Sequence, residues 1–485
     1  MQQLPYKKIY FVGIKGVGMA ALAIIAKQAG FTVCGSDTAA SFITDQVLDK
    51  HEIVVNTDFL PEDLERFIGD DRKETLIIVT AAHKGLDNPQ AIYAKTKHCN
   101  VLTFGQALGM FQYGTLLNRD DIIGISVAGT HGKTTTTAML ATVVSEIGLD
   151  PSYLIGTSDV SSLGDPGRYG QGKYFIVESD EYISDGVHDR VPKFYYQHPH
   201  AAIVTNIDFD HPDVFDDLKH VYQAFETFIK NIQIGGTLVI LGDNPEYASV
   251  YASQRDSLDV VTYGLQDKNT YQAVDVANSK DGISYSVQYK GEILGKISMP
   301  VIGIHMVLNS LAVVALLHTM SQSFEDIAKG LKIFTGTKRR LEYKGETHCR
   351  AMVIDDYAHH PVEISATLSA LAATYPEKKI ICIFQPHTFS RTKSLIDDFA
   401  HAFKNAHEVL LLPIFSSARE GAIDPAAEAT LYAKILANKQ GKVIENAQNV
   451  VKYCTQNFNS PDYILVTMGA GDVYKISDTL IKVKS

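Results

Sequence analysis

Cysteine and tryptophan are scarce in this chain of 485 residues, which has five cysteines and no tryptophan. The cysteines are scattered without the C-x-x-C spacing of zinc sites and redox motifs. We therefore expect reduced, buried thiols rather than a disulfide or zinc framework, and a cytoplasmic location. These cysteines are Cys34, Cys99, Cys349, Cys382 and Cys454.

Long apolar runs are lacking as well. No stretch reaches the roughly 18 apolar residues of a membrane-spanning helix, and the first residues lack the apolar core of a signal peptide. We therefore expect neither export nor membrane insertion. Positive charge is not in excess either, because the formal net charge is −11. This argues against a nucleic-acid partner, although a local basic pocket for a small phosphorylated ligand remains compatible with it.

What the chain does have is an ordinary globular composition, with 45% hydrophobic and 20% charged residues. Its length is too great for one core and suggests roughly three domains. The patterns below predict an α/β fold with three domains. These are an N-terminal Rossmann-like domain (1–119), a central P-loop domain with a mononucleotide-binding parallel sheet (120–334) and a C-terminal Rossmann-like domain (335–485). Either a monomer or a homodimer fits the sequence.

The first domain opens with a β-α-β pattern. A predicted strand over 9–12 leads into a glycine turn and an apolar helix, and a second predicted strand ends at a serine and an aspartate. The glycines would let the backbone approach a diphosphate, and the aspartate lies where a ribose-binding acid is expected. The spacing is G-x-x-G-x-G rather than G-x-G-x-x-G, so a tight turn without a ligand is the alternative. The candidate residues are Gly13, Gly16, Gly18, Ser36 and Asp37.

A P-loop opens the central domain. Polar residues 118–121 precede a predicted strand over 122–127, which leads into GTHGKTT and a helix. We expect Lys133 to reach the terminal phosphate and the Thr134 hydroxyl to ligate Mg²⁺. The loop is two residues shorter between its glycines than the general motif, and a chance Gly-Lys-Thr on a turn is the alternative. The candidate nucleotide-binding residues are Gly129, Thr130, His131, Gly132, Lys133, Thr134 and Thr135.

Acidic residues and a histidine follow the next two predicted strands. The strand over 174–177 ends at ESDE, and the strand over 201–204 ends at TNIDFDH. The carboxyl ends of neighbouring parallel strands meet at one edge, so these residues should lie beside the P-loop. We choose Glu178 and His211 as Mg²⁺ ligands. A solvated loop and a structural hydrogen bond are the respective alternatives.

The last third of the chain repeats this arrangement. Predicted strands over 352–354, 380–384 and 464–467 end at DDYAHHP, QPHTFSR and GAGD, which indicates one functional edge. Another predicted strand, over 409–413, precedes Arg419-Glu420. Because successive residues point apart, at most one histidine of the HH pair should face a ligand.

Taken together, these segments resemble the Mur ligases of peptidoglycan synthesis nearly from end to end. The resemblance rests on GIKGVGMAALA (13–23), GTHGKTTT (129–136), ESDE (178–181), TNIDFDH (205–211), GIHMVLN (303–309), DDYAHHP (355–361), FQPHTFSRT (384–392) and GAGD (469–472). The shortened P-loop is characteristic of that family. The resemblance implies an ATP-dependent, Mg²⁺-requiring enzyme that activates the carboxylate of UDP-N-acetylmuramate as an acyl phosphate and couples it to L-alanine.

The resemblance also implies roles for single residues. Lys133 would contact the transferred phosphate, and it forms with His211 the expected catalytic pair. The Mg²⁺ ligands would be Thr134, Glu178 and His211. ATP would also contact Asn309, Arg340 and Asp356. The groups around L-alanine would be Tyr357, His359, His387 and Arg391, and UDP would meet Gly13, Gly16, Gly18, Ser36 and Asp37.

Two features depart from the expected pattern. Residues 103–108 lack the arginine and the acid expected in the UDP-sugar domain. Residues 181–196 and 214–219 look more like the recycling ligase that attaches the tripeptide L-alanyl-γ-D-glutamyl-diaminopimelate. That ligase is the main alternative, although the histidine and arginine of QPHTFSRT favour alanine. An NAD-dependent dehydrogenase would leave the P-loop unexplained. A nucleotide-switched binding protein would leave the C-terminal edge unexplained.

Overall fold

The computed structural model describes residues 4–415 and 424–482, which form three sheets flanked by helices. The predicted α/β class is confirmed. Arg419 and Glu420 lie outside the described residues. In the described part of the chain, no helix is both long and apolar enough to cross a membrane.

The N-terminal domain is built on a parallel sheet of five strands. Its elements are β1 (Lys8–Val12), α1 (Val17–Gln28), β2 (Thr32–Asp37), α2 (Asp45–Lys50), β3 (Val54–Thr57), α3 (Pro61–Ile68), β4 (Thr75–Val79), α4 (Pro89–Thr96), β5 (Asn100–Thr103) and α5 (Phe104–Gln112). The strand order is β3-β2-β1-β4-β5. Residues 9–12 of β1 are fully buried, as expected for a central parallel strand covered by helices on both faces.

The central domain carries a sheet of ten strands. Its elements are β6 (Ile123–Ala128), α6 (Lys133–Glu146), β7 (Ser152–Leu154), β8 (Gly167–Arg168), β9 (Tyr174–Glu178), β10 (Ala201–Val204), α7 (Leu218–Lys230), β11 (Thr237–Leu241), α8 (Ala248–Tyr251), β12 (Asp259–Gly264), β13 (Tyr271–Ser279), β14 (Gly282–Tyr289), β15 (Glu292–Met299), α9 (Ile304–Thr319) and α10 (Phe324–Ile333). The order is β15-β14-β13-β12-β11-β10-β6-β9-β7-β8. The P-loop strand β6 lies between β9 and β10 and is parallel to both, so the three carboxyl ends meet.

The C-terminal domain has six strands, all parallel to their neighbours except β16. Its elements are β16 (Glu342–Glu346), β17 (Met352–Asp356), α11 (Pro361–Thr374), β18 (Lys379–Phe384), α12 (Phe389–Ser394), α13 (Ile396–Ala402), β19 (Glu408–Leu411), α14 (Pro425–Ile435), β20 (Gly441–Val443), α15 (Ala447–Asn457), β21 (Tyr463–Met468) and α16 (Tyr474–Leu480). The order is β16-β17-β21-β18-β19-β20. The ends of β17, β18 and β21, where the sequence predicts a functional edge, are therefore neighbours.

The N-terminal and central domains share a hydrophobic core. Phe175 and Val177 of β9 pack within the cluster formed by α1 and the N-terminal sheet. The two backbones also approach closely, because a Cβ on Gly109 would lie 2.0 Å from the carbonyl oxygen of Tyr196. The C-terminal domain, in contrast, meets the central domain through many polar contacts, such as the hydrogen bond that Asn278 donates to Thr374.

Candidate active site

Glycine is required at both ends of the P-loop turn. Gly129 and Gly132 have φ values of 137° and 81°, in the region that side chains disfavour. A Cβ on Gly129 would lie 2.0 Å from Oγ1 of Thr205, and one on Gly132 would lie 2.8 Å from Oδ1 of Asn309. The turn therefore packs against the end of β10 and against α9. Helix α6 begins directly after it, at Lys133.

Lys133 is held by a carboxylate from the loop that follows β9. Its Nζ donates to Oε2 of Glu181 at 2.7 Å and to the carbonyl oxygen of Gly129 at 2.7 Å. Burial lowers the pKa of Lys133, but Glu181 and Asp180 outweigh that effect and raise the pKa above its ordinary value. The ammonium group thus stays charged at the mouth of the P-loop.

Thr134 and Glu178 bring a hydroxyl oxygen and a carboxylate close together. The Thr134 hydroxyl donates to Oε1 of Glu178 at 2.9 Å, and the backbone N–H of Gly156 donates to Oε2 at 2.7 Å. Burial raises the pKa of Glu178, while the charge of Lys133 opposes that shift. A hydroxyl and a carboxylate at the end of a P-loop are ligands that suit Mg²⁺. The two residues therefore fit the predicted metal site.

His211 lines the same cleft, but its imidazole lies against other groups. Nε2 is 4.0 Å from Oε1 of Glu181, and Nδ1 is 3.3 Å from Nη2 of Arg391. Arg391 Nε donates to Oδ1 of Asp210 at 2.8 Å. Burial raises the pKa of Asp210, but His211 and Arg391 hold it far below its ordinary value. The Arg391 side chain is buried, so this ion pair does not lie on the surface.

The P-loop histidine contacts the C-terminal domain. His131 Nδ1 lies 3.3 Å from Oε1 of Glu363, and Nε2 lies 3.4 Å from Oδ2 of Asp208. Burial lowers the pKa of His131, but these two carboxylates raise it to about 9. His360 packs its ring on that of His131, with centroids 4.6 Å apart. His131 is therefore positively charged at neutral pH and joins the two domains by ionic contact.

The predicted ATP contacts of the C-terminal domain lie close to the first residues of that domain. Asp356 accepts hydrogen bonds from the backbone N–H groups of Leu341 and Ala358, at 2.8 and 2.7 Å. Burial raises the pKa of Asp356 to about 6, although Arg340 opposes the shift. Arg340 Nη1 lies 3.6 Å from Oε1 of Glu363. Asp356 is thus held beside Leu341, the residue that follows Arg340.

The residues predicted around the amino acid also gather in the cleft. His359 Nδ1 lies 3.0 Å from the carbonyl oxygen of Tyr357, which can only accept, so Nδ1 carries the proton and Nε2 offers a lone pair. Burial lowers the pKa of His359 to about 3, and Arg391 adds to that effect. The His359 and His387 rings lie 6.2 Å apart. A neutral imidazole acceptor therefore stands beside a guanidinium group.

The N-terminal end of the cleft contains the glycine turn and an aromatic ring. A Cβ on Gly18 would lie 2.9 Å from the Phe104 ring, which stands in the segment where an arginine was expected. Ser36 and Asp37 face inward: the Ser36 hydroxyl donates to Gln90, and Asp37 accepts from the backbone N–H of Lys15. Their predicted contact with UDP stays a prediction.

One cleft of about 680 Å³ joins all three domains. Its lining includes most of the predicted residues, namely Gly16, Gly18, Thr130, Gly132, Lys133, Thr134, Glu178, His211, Arg340, Tyr357, His359, His387 and Arg391. The other predicted residues lie beside the lining rather than in it, namely Gly13, Ser36, Asp37, Gly129, His131, Thr135, Asn309 and Asp356.

Three carboxylates were not predicted from the sequence, although each forms an ion pair with a predicted residue. Glu181 pairs with Lys133, Asp210 pairs with Arg391, and Glu363 pairs with His131. Glu181 and Asp210 stood in motifs from which another residue was chosen. Glu363 had no such signal, because its capping box with His360 at the start of α11 has a histidine in place of the usual serine or threonine.

Comparison with known families gives one match for each of the three domains. The Mur ligase family catalytic domain matches residues 8–112, the Mur ligase middle domain matches 127–317, and the Mur ligase glutamate ligase domain matches 339–471.

Similar proteins extend over the whole chain. A UDP-N-acetylmuramate–L-alanine ligase of Desulfitobacterium hafniense is 35% identical over 98% of this chain and 99% of its own length. Another, from Lachnospira eligens, is 37% identical over 98% of both chains. Among solved structures, a UDP-N-acetylmuramate-alanine ligase of Thermotoga maritima has a TM-score of 0.78 at 25% identity over 98% of both chains. A murein peptide ligase of Psychrobacter arcticus has a TM-score of 0.71 at 22% identity over 98% of both chains, which shows the fold alone.

Proposed function

The chain belongs to the Mur ligase family, and from that premise we propose that it couples L-alanine to UDP-N-acetylmuramate at the expense of ATP. The observation that carries the proposal is the single cleft, in which the P-loop residues face the Tyr357, His359 and Arg391 groups of the C-terminal domain. The proposed phosphoryl-transfer site and the proposed amino-acid site thus share one cleft. The reaction would belong to peptidoglycan precursor synthesis in the cytoplasm.

The proposed chemistry has two steps. A carboxylate oxygen of UDP-N-acetylmuramate attacks the terminal phosphorus of ATP, and the bond to the bridging oxygen breaks to release ADP. The amine of L-alanine then attacks the acyl carbon, and phosphate leaves as the amide forms and a proton is lost. Activation is needed because a free carboxylate is a poor electrophile, whereas phosphate is a good leaving group.

The side chains of the cleft suit these steps. The Lys133 ammonium offsets charge that develops on the transferred phosphoryl group. Thr134 and Glu178, with His211 as the third proposed ligand, would hold Mg²⁺, which when bound supplies further charge stabilisation. Arg391 would pair with the amino-acid carboxylate, and the Nε2 lone pair of His359 would accept a hydrogen bond from the amine.

The remaining substrate contacts are proposed at the two ends of the cleft. ATP would meet Asn309, Arg340 and Asp356 in addition to the P-loop. UDP would meet Gly13, Gly16, Gly18, Ser36 and Asp37. A monomeric or homodimeric state remains a prediction from the sequence.

An omission experiment tests the function. Sustained ADP release over many turnovers should require UDP-N-acetylmuramate, ATP and L-alanine together. Without L-alanine it should stop after the first step, when the acyl phosphate has formed. ADP release that ignores both the UDP-sugar and the amino acid would contradict the proposal and support the nucleotide-switched binding protein instead.

Replacing Glu178 by glutamine should raise the Mg²⁺ concentration for half-maximal rate by about tenfold, because the change keeps the shape but removes the charge. The measurement is a Mg²⁺ titration of ADP release. Glu226→Gln, in an exposed ion pair with Lys230 on α7, is the matched control and should titrate like the wild type. An unchanged titration of the Glu178 variant would remove this residue from the metal site.

A further inference from the structure

Asp210 and Arg391 form an ion pair across the boundary between the central and C-terminal domains. Their atoms Oδ1 and Nε are 2.8 Å apart, and the side chains are only 6% and 7% exposed. Asp210 follows β10, whereas Arg391 lies on α12. The pair can therefore exist only while the two domains are packed together.

This pair restricts the orientation of the guanidinium group. Arginine presents five N–H donors in a planar fork, and Asp210 engages the donor on Nε. Nη1 and Nη2 lie 3.4 and 3.3 Å from the Nδ1 atoms of His387 and His211. Those two histidines and Arg391 all line the cleft. Each Nη atom carries two N–H groups, so one on each is left beside its histidine contact, and a carboxylate fits these two donors through two parallel hydrogen bonds.

Asp210 also holds the loop that carries the proposed metal ligand. Its Oδ1 accepts a hydrogen bond from the backbone N–H of His211 at 2.7 Å. His211 has a φ of 59°, a left-handed conformation that is uncommon for a residue other than glycine, and this hydrogen bond supports it. One carboxylate therefore contacts both a residue proposed for Mg²⁺ and a residue proposed for the amino acid.

Given the proposed ligase function, on which this inference rests, we propose that Asp210 is a positioning residue for the amino-acid substrate. It orients Arg391 so that the Nη1–Nη2 edge meets the α-carboxylate, and it does so from the loop of the proposed metal ligand His211. Asp210 acts on the substrate through Arg391. The chemical feature that the pair recognises is a free carboxylate one carbon away from the attacking amine.

The proposed role of Asp210 can be tested by comparing two amine substrates, one with and one without a carboxylate. L-alaninamide has the same amine and methyl group as L-alanine, but its neutral amide cannot form the charge-assisted pair with Arg391. The wild type should therefore have a much higher kcat/KM for L-alanine than for L-alaninamide. If Asp210 orients Arg391, its loss lowers that ratio. A residue that only stabilised the domain packing would lower both rates alike.

The experiment compares the two amines in the full-length wild type and in Asp210→Asn, with ATP and UDP-N-acetylmuramate saturating. The ratio of kcat/KM values should fall by about tenfold or more in the variant, while the KM for ATP changes by less than about twofold. Asp216→Asn is the matched control, since it lies in the same segment with a side chain that is 93% exposed, and it should keep the wild-type ratio. An unchanged ratio in folded Asp210→Asn overturns the proposal.

A second variant covers the case in which the first fails to fold, since removing one partner of a buried ion pair leaves an uncompensated charge. Asp210→Glu keeps the charge, but its longer side chain displaces the guanidinium group. The ratio should fall here too, and a wild-type ratio would overturn the proposal. The wild type separates the two claims: if it does not turn over L-alanine, the ligase function fails. If it does and the variants keep its ratio, only the role of Asp210 is lost.

Discussion

Replacing Lys133 by alanine is expected to lower kcat by more than about 10²-fold while leaving the fold intact. The reason is that the Lys133 ammonium is already held in place, by the Glu181 carboxylate and the Gly129 carbonyl oxygen. A charge fixed at the P-loop needs little reorganisation to stabilise the charge that develops on the transferred phosphoryl group. Steady-state ADP release by the purified variant, with circular dichroism to check the fold, measures the effect.

Two further variants sharpen this test. Lys133→Ala/Glu181→Gln removes both charges, so no unpaired carboxylate remains buried in the site, and it should be equally inactive. Lys230→Ala removes a lysine from an exposed ion pair on α7 and should keep wild-type turnover. Near-normal turnover by folded Lys133→Ala would refute the P-loop assignment.

Replacing Arg391 by lysine should raise the KM for L-alanine by about tenfold or more and lower kcat, with the KM for ATP little changed. Lysine can still pair with Asp210, but its point charge cannot offer the two parallel hydrogen bonds of a guanidinium group. The carboxylate would therefore bind more weakly, and the amine would be less well oriented for attack. Steady-state kinetics in which each substrate is varied in turn measure these effects.

The matched control for this variant is Lys393→Ala, an exposed position on the same helix, α12. It should leave both KM values and kcat at wild-type levels. If Arg391→Lys behaves like this control, Arg391 serves only the packing of the two domains and does not bind the amino acid.

The P-loop could be predicted because its signal is local in the sequence. Strand β6, the glycine turn and helix α6 follow one another directly, and the structure has them where the pattern indicated. The meeting of ESDE and TNIDFDH beside that loop could also be predicted, because β9 and β10 are the parallel neighbours of β6. In both cases the topology of an open parallel sheet brings the residues together.

The contacts between domains could not be predicted in the same way. Asp210 and Arg391 lie 181 positions apart, and nothing in either motif shows that the two loops touch. The pairing of His131 with Glu363 is likewise a consequence of how the C-terminal domain packs on the central one. Phe104 was also missed. Its ring lies against Gly18 in the cleft, whereas the sequence showed only that residues 103–108 lack the expected arginine and acid.

The choice between an amino acid and a tripeptide is the most direct test of the central claim. Purified protein is incubated with ATP, Mg²⁺ and UDP-N-acetylmuramate, and with either L-alanine or the tripeptide L-alanyl-γ-D-glutamyl-diaminopimelate, while ADP release and product mass are followed. We predict a product that has gained one alanine residue, and a higher kcat/KM for L-alanine than for the tripeptide. Faster turnover of the tripeptide would contradict the account and assign the chain to peptide recycling.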